Sequence, residues 1–544
     1  MKKNIIFSLA TILLVAGGVQ SCTSDFEEMN RDPQNPTQSS IPAVFNSIVS
    51  RLMLVGQEQA AIHNGKYYFQ TQQLGNAAGS YNIANASNDV WSNYYYSLKN
   101  VRMLDQLLTE SDKKVENAKA MLNIIFAYHT LRVINYFGDI PFSEAGKGNE
   151  GTDYFRVKYD NHKDIYYECL DMLKSAAEAL TTDAQQYSYG NGDVLFKGDI
   201  SLWKKFANSI RLRYAMQIVE VDANKASAIV GEILGNPGQY PVIGATSSND
   251  SRPDESIGMW LKDLANLILS DSREWSFSAN NYSCMGSLMW SLMSDSNNEA
   301  GEGIFDPRCY VFFEPNHESL WKAYPQNGGG LPQSGTAYNK EPAGRDYGQT
   351  VDSWNNKGVE CYYSPVNFYL VRDVDYVPEL FITAAEVKFL TAEAYNRGIG
   401  VAKNAVEAQK MYEEGIRTSI KFWYHLVTND SGSTKWLFGP VSTHLTPDID
   451  AYLAKVPYST DESAALRQIY QQIWIDSFRQ PWVAFDLYRR TLATPRDESA
   501  GYKPGDYNFY KLPYPEDERI NNGEYFQAAT GGNNATDKKL FWHK

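Results

Sequence analysis

Apolar residues recur every three or four positions over several long stretches of the chain, which is the period of an amphipathic helix. The first stretch, from 88 to 108, has its apolar face at Trp91, Tyr95, Leu98, Val101, Leu104 and Leu108. Asn88 or Asp89 precedes it as a candidate N-cap. The second, from Met121 to Ile134, is followed by Gly138 and Pro141, residue types that commonly end a helix. The short polar connection between them predicts an antiparallel helical hairpin.

Further helix pairs follow at 164–180 with 202–219 and at 379–397 with 401–422, and a last helix is expected from 462 to 488. Helix pairs that repeat every 35 to 45 residues or so are typical of a solenoid such as the tetratricopeptide repeat. The sequence therefore predicts a mainly α fold with a tetratricopeptide-like helical-repeat body, over about 88–220 and 378–490.

The best local match to such a repeat lies in the second of these ranges. Ala408, Tyr412 and Gly415 place two small residues and an aromatic ring on one helix, at a spacing that lets a partner helix approach closely. The partner carries Leu390 and Ala394 a few residues out of register. A generic helical hairpin is the alternative interpretation.

The pattern changes between about 231 and 377, where Gly, Asn, Ser and Pro become frequent and the helical period fades. A long connection of this kind inside a compact fold is usually functional. We expect a large loop-rich insertion that binds ligand. Its aromatic residues include Trp275, Trp290, Trp321, Tyr324, Tyr338, Tyr347, Trp354, Tyr362 and Tyr363.

Composition and charge narrow the function. Lys and Arg total 50 against 64 for Asp and Glu, a net charge of -14, so binding to nucleic-acid phosphates has no global driving force. The 37 Tyr outnumber the 24 Phe, so much of the aromatic surface carries a hydrogen-bonding group. A sugar offers an apolar face and a rim of hydroxyls, and such a surface suits both. It also suits a peptide.

Five aromatic residues of the insertion are flanked by polar or turn residues and are the candidate ligand-binding residues: Trp275, Trp321, Tyr324, Trp354 and Tyr363. The alternative role for each is packing. Trp91 and Trp203, by contrast, lie on helical apolar stripes and are expected in the core.

The N-terminus has the pattern of an export signal. Lys2 and Lys3 precede an apolar run that ends near Val19, and Cys22 follows small residues in a sequence that resembles a bacterial lipobox. We expect a signal peptide at 1–21, a lipidated Cys22 and a tether at 22–40; an ordinary cleaved signal is the alternative. The acidic residues after Cys22 resemble those of surface-exported lipoproteins, or are simply a solvated linker.

The sequence contains no motif for catalysis, for a metal or for a cofactor. No G-x-S-x-G, Walker, EF-hand, H-E-x-x-H or C-x-x-C pattern occurs. Gly146, Gly148 and Gly151 spell G-x-G-x-x-G, but no opening helix follows, so a surface turn explains them better than a dinucleotide site. A pair of glycosidase carboxylates has no sequence signature and stays open.

Several blocks, in order, resemble the SusD/RagB family of outer-membrane nutrient-binding lipoproteins of Bacteroidetes. The blocks are DFEEMNRDPQNPT from Asp25, AYHTLRVINYFGDIPFSEA from Ala127, WKKFANSIRLRYA from Trp203, DPR from Asp306, EVKFLTAEAYNRG from Glu386, EGIRTSI from Glu414, FDLYRRT from Phe485 and KLPYPEDERINN from Lys511. The physical roles expected within them are structural: Asn208, Arg213, Arg489 and Arg490 cap helices or bridge repeats.

The resemblance implies a single domain over 41–544 in a non-catalytic lipoprotein, lipid-anchored in the outer membrane and facing the cell exterior. Such a protein captures an oligosaccharide and acts as a lid over a SusC-like TonB-dependent transporter, on which the helical repeats would rest. Some family members are thought to serve peptides, which is the alternative cargo, and a surface glycoside hydrolase is the least favoured alternative. Family ligand residues lie in variable loops, so none is carried over to this chain.

Overall fold

The computed structural model describes residues 40–75, 82–244, 254–259, 284–295, 298–316, 318–326, 362–367, 370, 378–428, 444, 446–498 and 509–544. Most of these residues are helical, as predicted. The α-helices are α1 (Ile41–Ser50), α2 (Tyr68–Thr71), α3 (Ile83–Thr109), α4 (Glu116–Phe137), α5 (His162–Ala179), α6 (Ile200–Gln217), α7 (Ala223–Gly235), α8 (Ser287–Met293), α9 (Arg308–Phe312), α10 (Ala384–Arg397), α11 (Ala405–Thr428), α12 (Ile449–Lys455), α13 (Glu462–Asp476), α14 (Pro481–Thr491), α15 (Glu516–Asn521) and α16 (Gly523–Thr530). A π-helix, Glu58–Tyr67, leads into α2.

Four short strands form two antiparallel pairs. Strand β1 (Leu74–Gly75) pairs with β3 (Cys284–Met285), and β2 (Ile257–Met259) pairs with β4 (Glu379–Ile382). Each pair joins a strand of the helical body to one from the 231–377 region. The strands therefore attach that region to the body at two places.

In the N-terminal half, helices α3 to α7 pack on one another in chain order. Helix α4 contacts α1, α3, α5 and α6, so nearly every residue along it is buried, including polar ones such as His129 and Arg132. Trp91 and Trp203 lie in this core, as expected. The N-cap expected at Asn88 or Asp89 is wrong, because α3 begins earlier, where the Asn82 side chain accepts hydrogen bonds from two backbone N–H groups.

In the C-terminal half, α10 packs against α11 and α13. Gly415 of α11 faces the Phe389 ring so closely that an added methyl group would overlap it, which confirms the close approach predicted from the Ala408, Tyr412 and Gly415 spacing. The helix start expected at 379 is wrong, because Glu379–Ile382 forms strand β4. Helix α10 begins after Thr383, whose hydroxyl accepts from Glu386 N at 3.0 Å.

The single helix expected from 462 to 488 is wrong. It is divided into α13, a 3₁₀ turn (Ser477–Arg479) and α14. Pro481 occupies the first turn of α14. Proline has no N–H to donate and its ring clashes with the preceding turn, so a continuous helix through this position is disfavoured.

Apolar side chains of both halves form one hydrophobic core. Buried ion pairs also connect the helices of the two halves. Arg213 of α6 donates two hydrogen bonds to Glu386 of α10, at 2.6 and 2.5 Å. Arg490 of α14 donates to both oxygens of Glu393 of α10, at 2.9 and 2.6 Å. Arg213 and Arg490 therefore bridge helices, as predicted, and Asn208 donates to the Pro241 carbonyl at 3.0 Å.

Cys169, Cys284 and Cys309 are buried free thiols. Among the helices that the structure describes, none is long and apolar enough to cross a membrane. Residues 1–39, with Cys22, lie outside the described residues, so the signal peptide, the tether and the division into domains stay predictions.

Candidate ligand-binding site

Three segments of the 231–377 region are tied together by backbone hydrogen bonds, and we call residues 284–287, 321–326 and 362–367 the loop frame. Tyr324 N donates to Met285 O at 2.7 Å, and Met285 N donates to Ser364 O at 2.8 Å. Ser364 N in turn donates to Lys322 O at 2.8 Å. These bonds fix three loops from distant parts of the chain in one backbone arrangement.

The loop frame is attached to the helical body through β1. Besides the β1–β3 pairing, Gln326 Nε2 donates to Gln72 O at 3.2 Å. A Cβ on Gly75 would lie 2.5 Å from the Tyr324 Cβ, so only glycine permits this approach of strand and ring. Tyr324 is therefore held by the body as well as by the frame.

The 231–377 region is attached to the helical body at a further place, through the buried guanidinium of Arg308 at the start of α9. It donates to Asp306 at 3.0 and 2.7 Å, to Ser419 of α11 at 3.0 Å and to Gln472 of α13 at 2.9 Å. Burial alone lowers the pKa of Arg308, but the Asp306 carboxylate outweighs burial and raises the pKa above its ordinary value. The Arg308 guanidinium therefore stays charged, and it fixes α9 to two helices of the body.

Tyrosine rings form one cluster on the loop frame. The Tyr324 and Tyr363 ring centroids lie 5.1 Å apart, and those of Tyr362 and Tyr363 lie 4.9 Å apart. Lys322 Nζ is 4.3 Å from the centre of the Tyr362 ring. Tyr324 and Tyr363 are only 8% and 4% exposed, whereas Tyr362 and Lys322 are half-buried. The cluster presents a ring and an ammonium group to solvent.

Tryptophan rings form a second cluster. Trp321 lies parallel to Trp290, with centroids 6.2 Å apart and planes 7° apart, and Tyr310 meets Trp321 edge-on at 5.8 Å. Tyr310 stacks on the exposed His444 ring at 3.7 Å. Desolvation raises the pKa of Tyr310 to about 12, so its hydroxyl stays protonated at neutral pH. Trp321, only 5% exposed, packs against the half-buried Tyr310 on its protein-facing side.

The structure thus places three of the five candidate ligand-binding residues. Tyr324 and Tyr363 meet in the tyrosine cluster, and Trp321 lies in the tryptophan cluster, all with little exposed surface. Trp275 and Trp354 lie outside the described residues.

More accessible groups stand beside these three: Tyr310, Lys322, Tyr362 and His444. The sequence pattern did not single them out as ligand-binding residues. The available signals were weak: Tyr310 follows the DPR block by two residues, and Tyr362 is the neighbour of Tyr363.

A His–carboxylate pair elsewhere in the molecule has a structural role. Burial favours the neutral acid at Asp139, but hydrogen bonds from His162 outweigh it and lower the pKa of Asp139. His162 Nδ1 lies 2.5 Å from this carboxylate, and its Nε2 accepts from Phe541 N at 3.0 Å. Both ring nitrogens are therefore engaged. No group of three or more His, Cys, Asp or Glu suited to hold a metal occurs in the part of the chain that the structure describes.

Comparison with known proteins gives a match over most of the chain. A SusD-like family model, described as starch-binding and associating with the outer membrane, matches residues 33–515. Among curated proteins, none matches the sequence.

Solved structures show the same fold. A chitin-binding protein is 23% identical, with a TM-score of 0.65 over 93% of this chain and 100% of its own. A SusD homolog from Parabacteroides distasonis is 21% identical, with a TM-score of 0.63 over 93% of this chain and 98% of its own. A chitin-binding SusD homolog from Flavobacterium johnsoniae is 18% identical, with a TM-score of 0.62 over 92% and 98%.

Proposed function

The chain belongs to the SusD/RagB family, and from this premise we propose that it is a non-catalytic cell-surface lipoprotein that captures an oligosaccharide and delivers it to an outer-membrane transporter. The observation that carries the proposal is the family match over residues 33–515, whose description combines starch binding with outer-membrane association. Two of the similar structures are chitin-binding proteins, which also favours a glycan.

The proposed binding surface is the loop frame together with the neighbouring Tyr310 and His444. Tyr310 and Tyr362 offer half-buried rings for the apolar face of a sugar, and Lys322 and His444 offer nitrogen groups for its hydroxyls. The buried Trp321, Tyr324 and Tyr363 contact these rings and hold them in place. A rigid aromatic support lowers the entropy lost on binding.

The anchor and the partner complete the proposal. A lipid on Cys22 tethers the domain to the outer membrane, facing the cell exterior, through the 22–40 segment. The helical body then rests on a SusC-like TonB-dependent transporter, over which the protein closes as a lid.

Isothermal titration calorimetry with malto- and chito-oligosaccharides tests the cargo. We expect the intact protein to bind at least one of them, and Trp321→Ala and Trp354→Ala to weaken that binding. Binding of a short-peptide pool with no binding of any glycan would replace the oligosaccharide by a peptide. Release of reducing ends from a bound glycan would instead show a glycoside hydrolase.

The membrane part of the proposal is tested separately. Full-length protein expressed in a Bacteroidetes host should fractionate with the outer membrane and incorporate labelled fatty acid, and Cys22→Ser should abolish both. Co-purification of a TonB-dependent transporter is expected from the wild-type membranes. Recovery of the wild-type protein in the soluble fraction would contradict the anchor.

A further inference from the structure

A groove of about 800 Å³ lies on the helical body and uses no residue of the loop frame. Helix α3 forms one wall, with Tyr95, Lys99 and Arg102. The glycine-rich turn at 146–150 and the following Tyr154 form the other. The volume is in the range of sites that hold small ligands.

The G-x-G-x-x-G segment builds the second wall. Gly146 has a φ of +80°, and a side chain there would overlap Leu98 on α3, so glycine is needed both for the turn and for its approach to the helix. Glu150 N donates to Lys147 O at 2.8 Å, which closes the turn. Two of the three glycines noted in the sequence, Gly146 and Gly148, thus line the groove.

The groove concentrates positive charge on an acidic protein. Lys99, Arg102 and Lys147 form no ion pair with any residue that the structure describes, whereas the lining Asp105 is drawn to Lys119 at 3.8 Å. Arg102 is held by a 3.1 Å hydrogen bond from Nη2 to Phe142 O, and its buried Nε has no hydrogen-bond partner among the described residues. The lining also carries the carboxylates of Asp105 and Glu150, but the three cations outnumber them, and this excess of positive charge attracts an anion.

Aromatic side chains stand beside these cations. Tyr154 lies 5.9 Å from Lys147 Nζ, measured to the ring centre, and Tyr95 is fixed by a 2.8 Å hydrogen bond to Pro141 O. A ring next to a cation suits a sugar that carries an acidic group, because the ring takes the apolar face while the cation pairs with the acid.

We infer that this groove is a second binding site, for the acidic units of a carboxylated or sulfated oligosaccharide. The site goes beyond the proposed function, because it is built from other elements and takes a charged ligand. Three cations line this groove, whereas the tyrosine cluster of the loop frame has the single ammonium group of Lys322.

Calorimetry at low ionic strength with trigalacturonate as the probe tests the inference, with maltotriose and inorganic sulfate as references. We expect trigalacturonate to bind more tightly than either, and its affinity to fall as salt is raised. The double variant Lys99→Ala, Lys147→Ala should weaken it about tenfold, which corresponds to about 1.4 kcal/mol. Lys421→Ala, which removes an exposed lysine of α11, is the matched control and should have no effect.

A loop-frame variant separates this site from the proposed function. Tyr362→Ala should leave trigalacturonate binding unchanged even where it weakens a neutral glycan. The inference is overturned if trigalacturonate does not bind, if sulfate binds as tightly, or if Tyr362→Ala rather than the lysine pair removes the binding. A melting temperature within about 2 °C of wild type confirms that the lysine variant is folded.

Discussion

The helical body and the loop frame are each stabilised internally, by different kinds of contact. In the body, side chains at helical spacing meet across neighbouring helices, as Arg213 does with Glu386 and Arg490 with Glu393. In the loop frame, backbone groups of segments far apart in the chain bond to one another, as Tyr324 N does with Met285 O. The sequence of the body therefore shows a periodic spacing of apolar residues, and the sequence of the frame does not.

Besides the two strand pairs, a buried ion pair at α9 holds the 231–377 region to the body. Arg308 connects α9 to α11 and α13 while its charge is balanced by Asp306, and both side chains are fully buried. A buried charge that loses its partner is strongly unfavourable. The junction is thus where a single substitution should affect the molecule most.

Arg308→Met should produce the largest loss, about 3 to 5 kcal/mol of unfolding free energy, because Asp306 would remain buried without its partner. Chemical denaturation followed by circular dichroism measures it. The matched control is Arg417→Met, which breaks an ion pair with Asp450 whose side chains are 42% and 81% exposed. The control should cost under about 1 kcal/mol. Equal losses would contradict the special role of the junction.

Within the body, Gly415→Ala should cost about 1 to 3 kcal/mol, because the added methyl group would overlap the Phe389 ring and force α10 and α11 apart. Gly235→Ala in α7 is the control, since a Cβ there meets nothing within 4 Å. It should be neutral or stabilising. Phe389→Leu should relieve part of the Gly415→Ala penalty in a double-mutant cycle; strict additivity would show that the two residues are not in contact.

On the loop frame, Tyr362→Ala should reduce affinity for a neutral oligosaccharide about five- to tenfold, with little change in stability, since the ring is half-buried. Phe155→Ala removes an aromatic ring that is 69% exposed on the body and serves as the control. Calorimetry of both variants measures the difference. A larger loss from the Phe155 variant would place the glycan on the body.

The pH dependence of stability should show the smallest effects, with opposite signs at two buried carboxylates. Burial favours the neutral acid at Glu393, but Arg490 outweighs it and lowers the pKa below 4.5. The stabilisation by Glu393 is therefore present above pH 4.5 and lost as the pH falls through the folded pKa. Desolvation raises the pKa of Asp476 above 3.8, so its contribution is lost as the pH rises through the folded value.

Denaturation midpoints measured between pH 3 and 7 test the direction of the stability change at each carboxylate. Glu393→Gln should flatten the acid side of the profile, since the variant no longer has an acid to protonate there. Asp476→Asn should gain stability relative to wild type as the pH rises. A change of the same sign in both variants would contradict the assigned ionisation states.

The sequence pattern predicted most of the body and little of the frame, for a physical reason. Each helix hairpin shows a local apolar period, and the Gly415 spacing even predicted a close approach. The prediction of a single helix to 488 failed because it overlooked Pro481, a local signal that interrupts the helix. The loop frame has no such period, because its contacts are backbone bonds between distant segments. Composition alone therefore could not show that Trp321, Tyr324 and Tyr363 are buried while Tyr310 and Tyr362 are more accessible.

Hydrogen–deuterium exchange of the full-length protein, with and without a saturating neutral oligosaccharide identified by calorimetry, tests the central claim most directly. We predict that protection on binding concentrates in peptides covering 284–326 and 362–367, while α4 and α10 exchange at unchanged rates. Protection confined to the helical body, with none in the loop frame, would contradict the assignment of the binding surface.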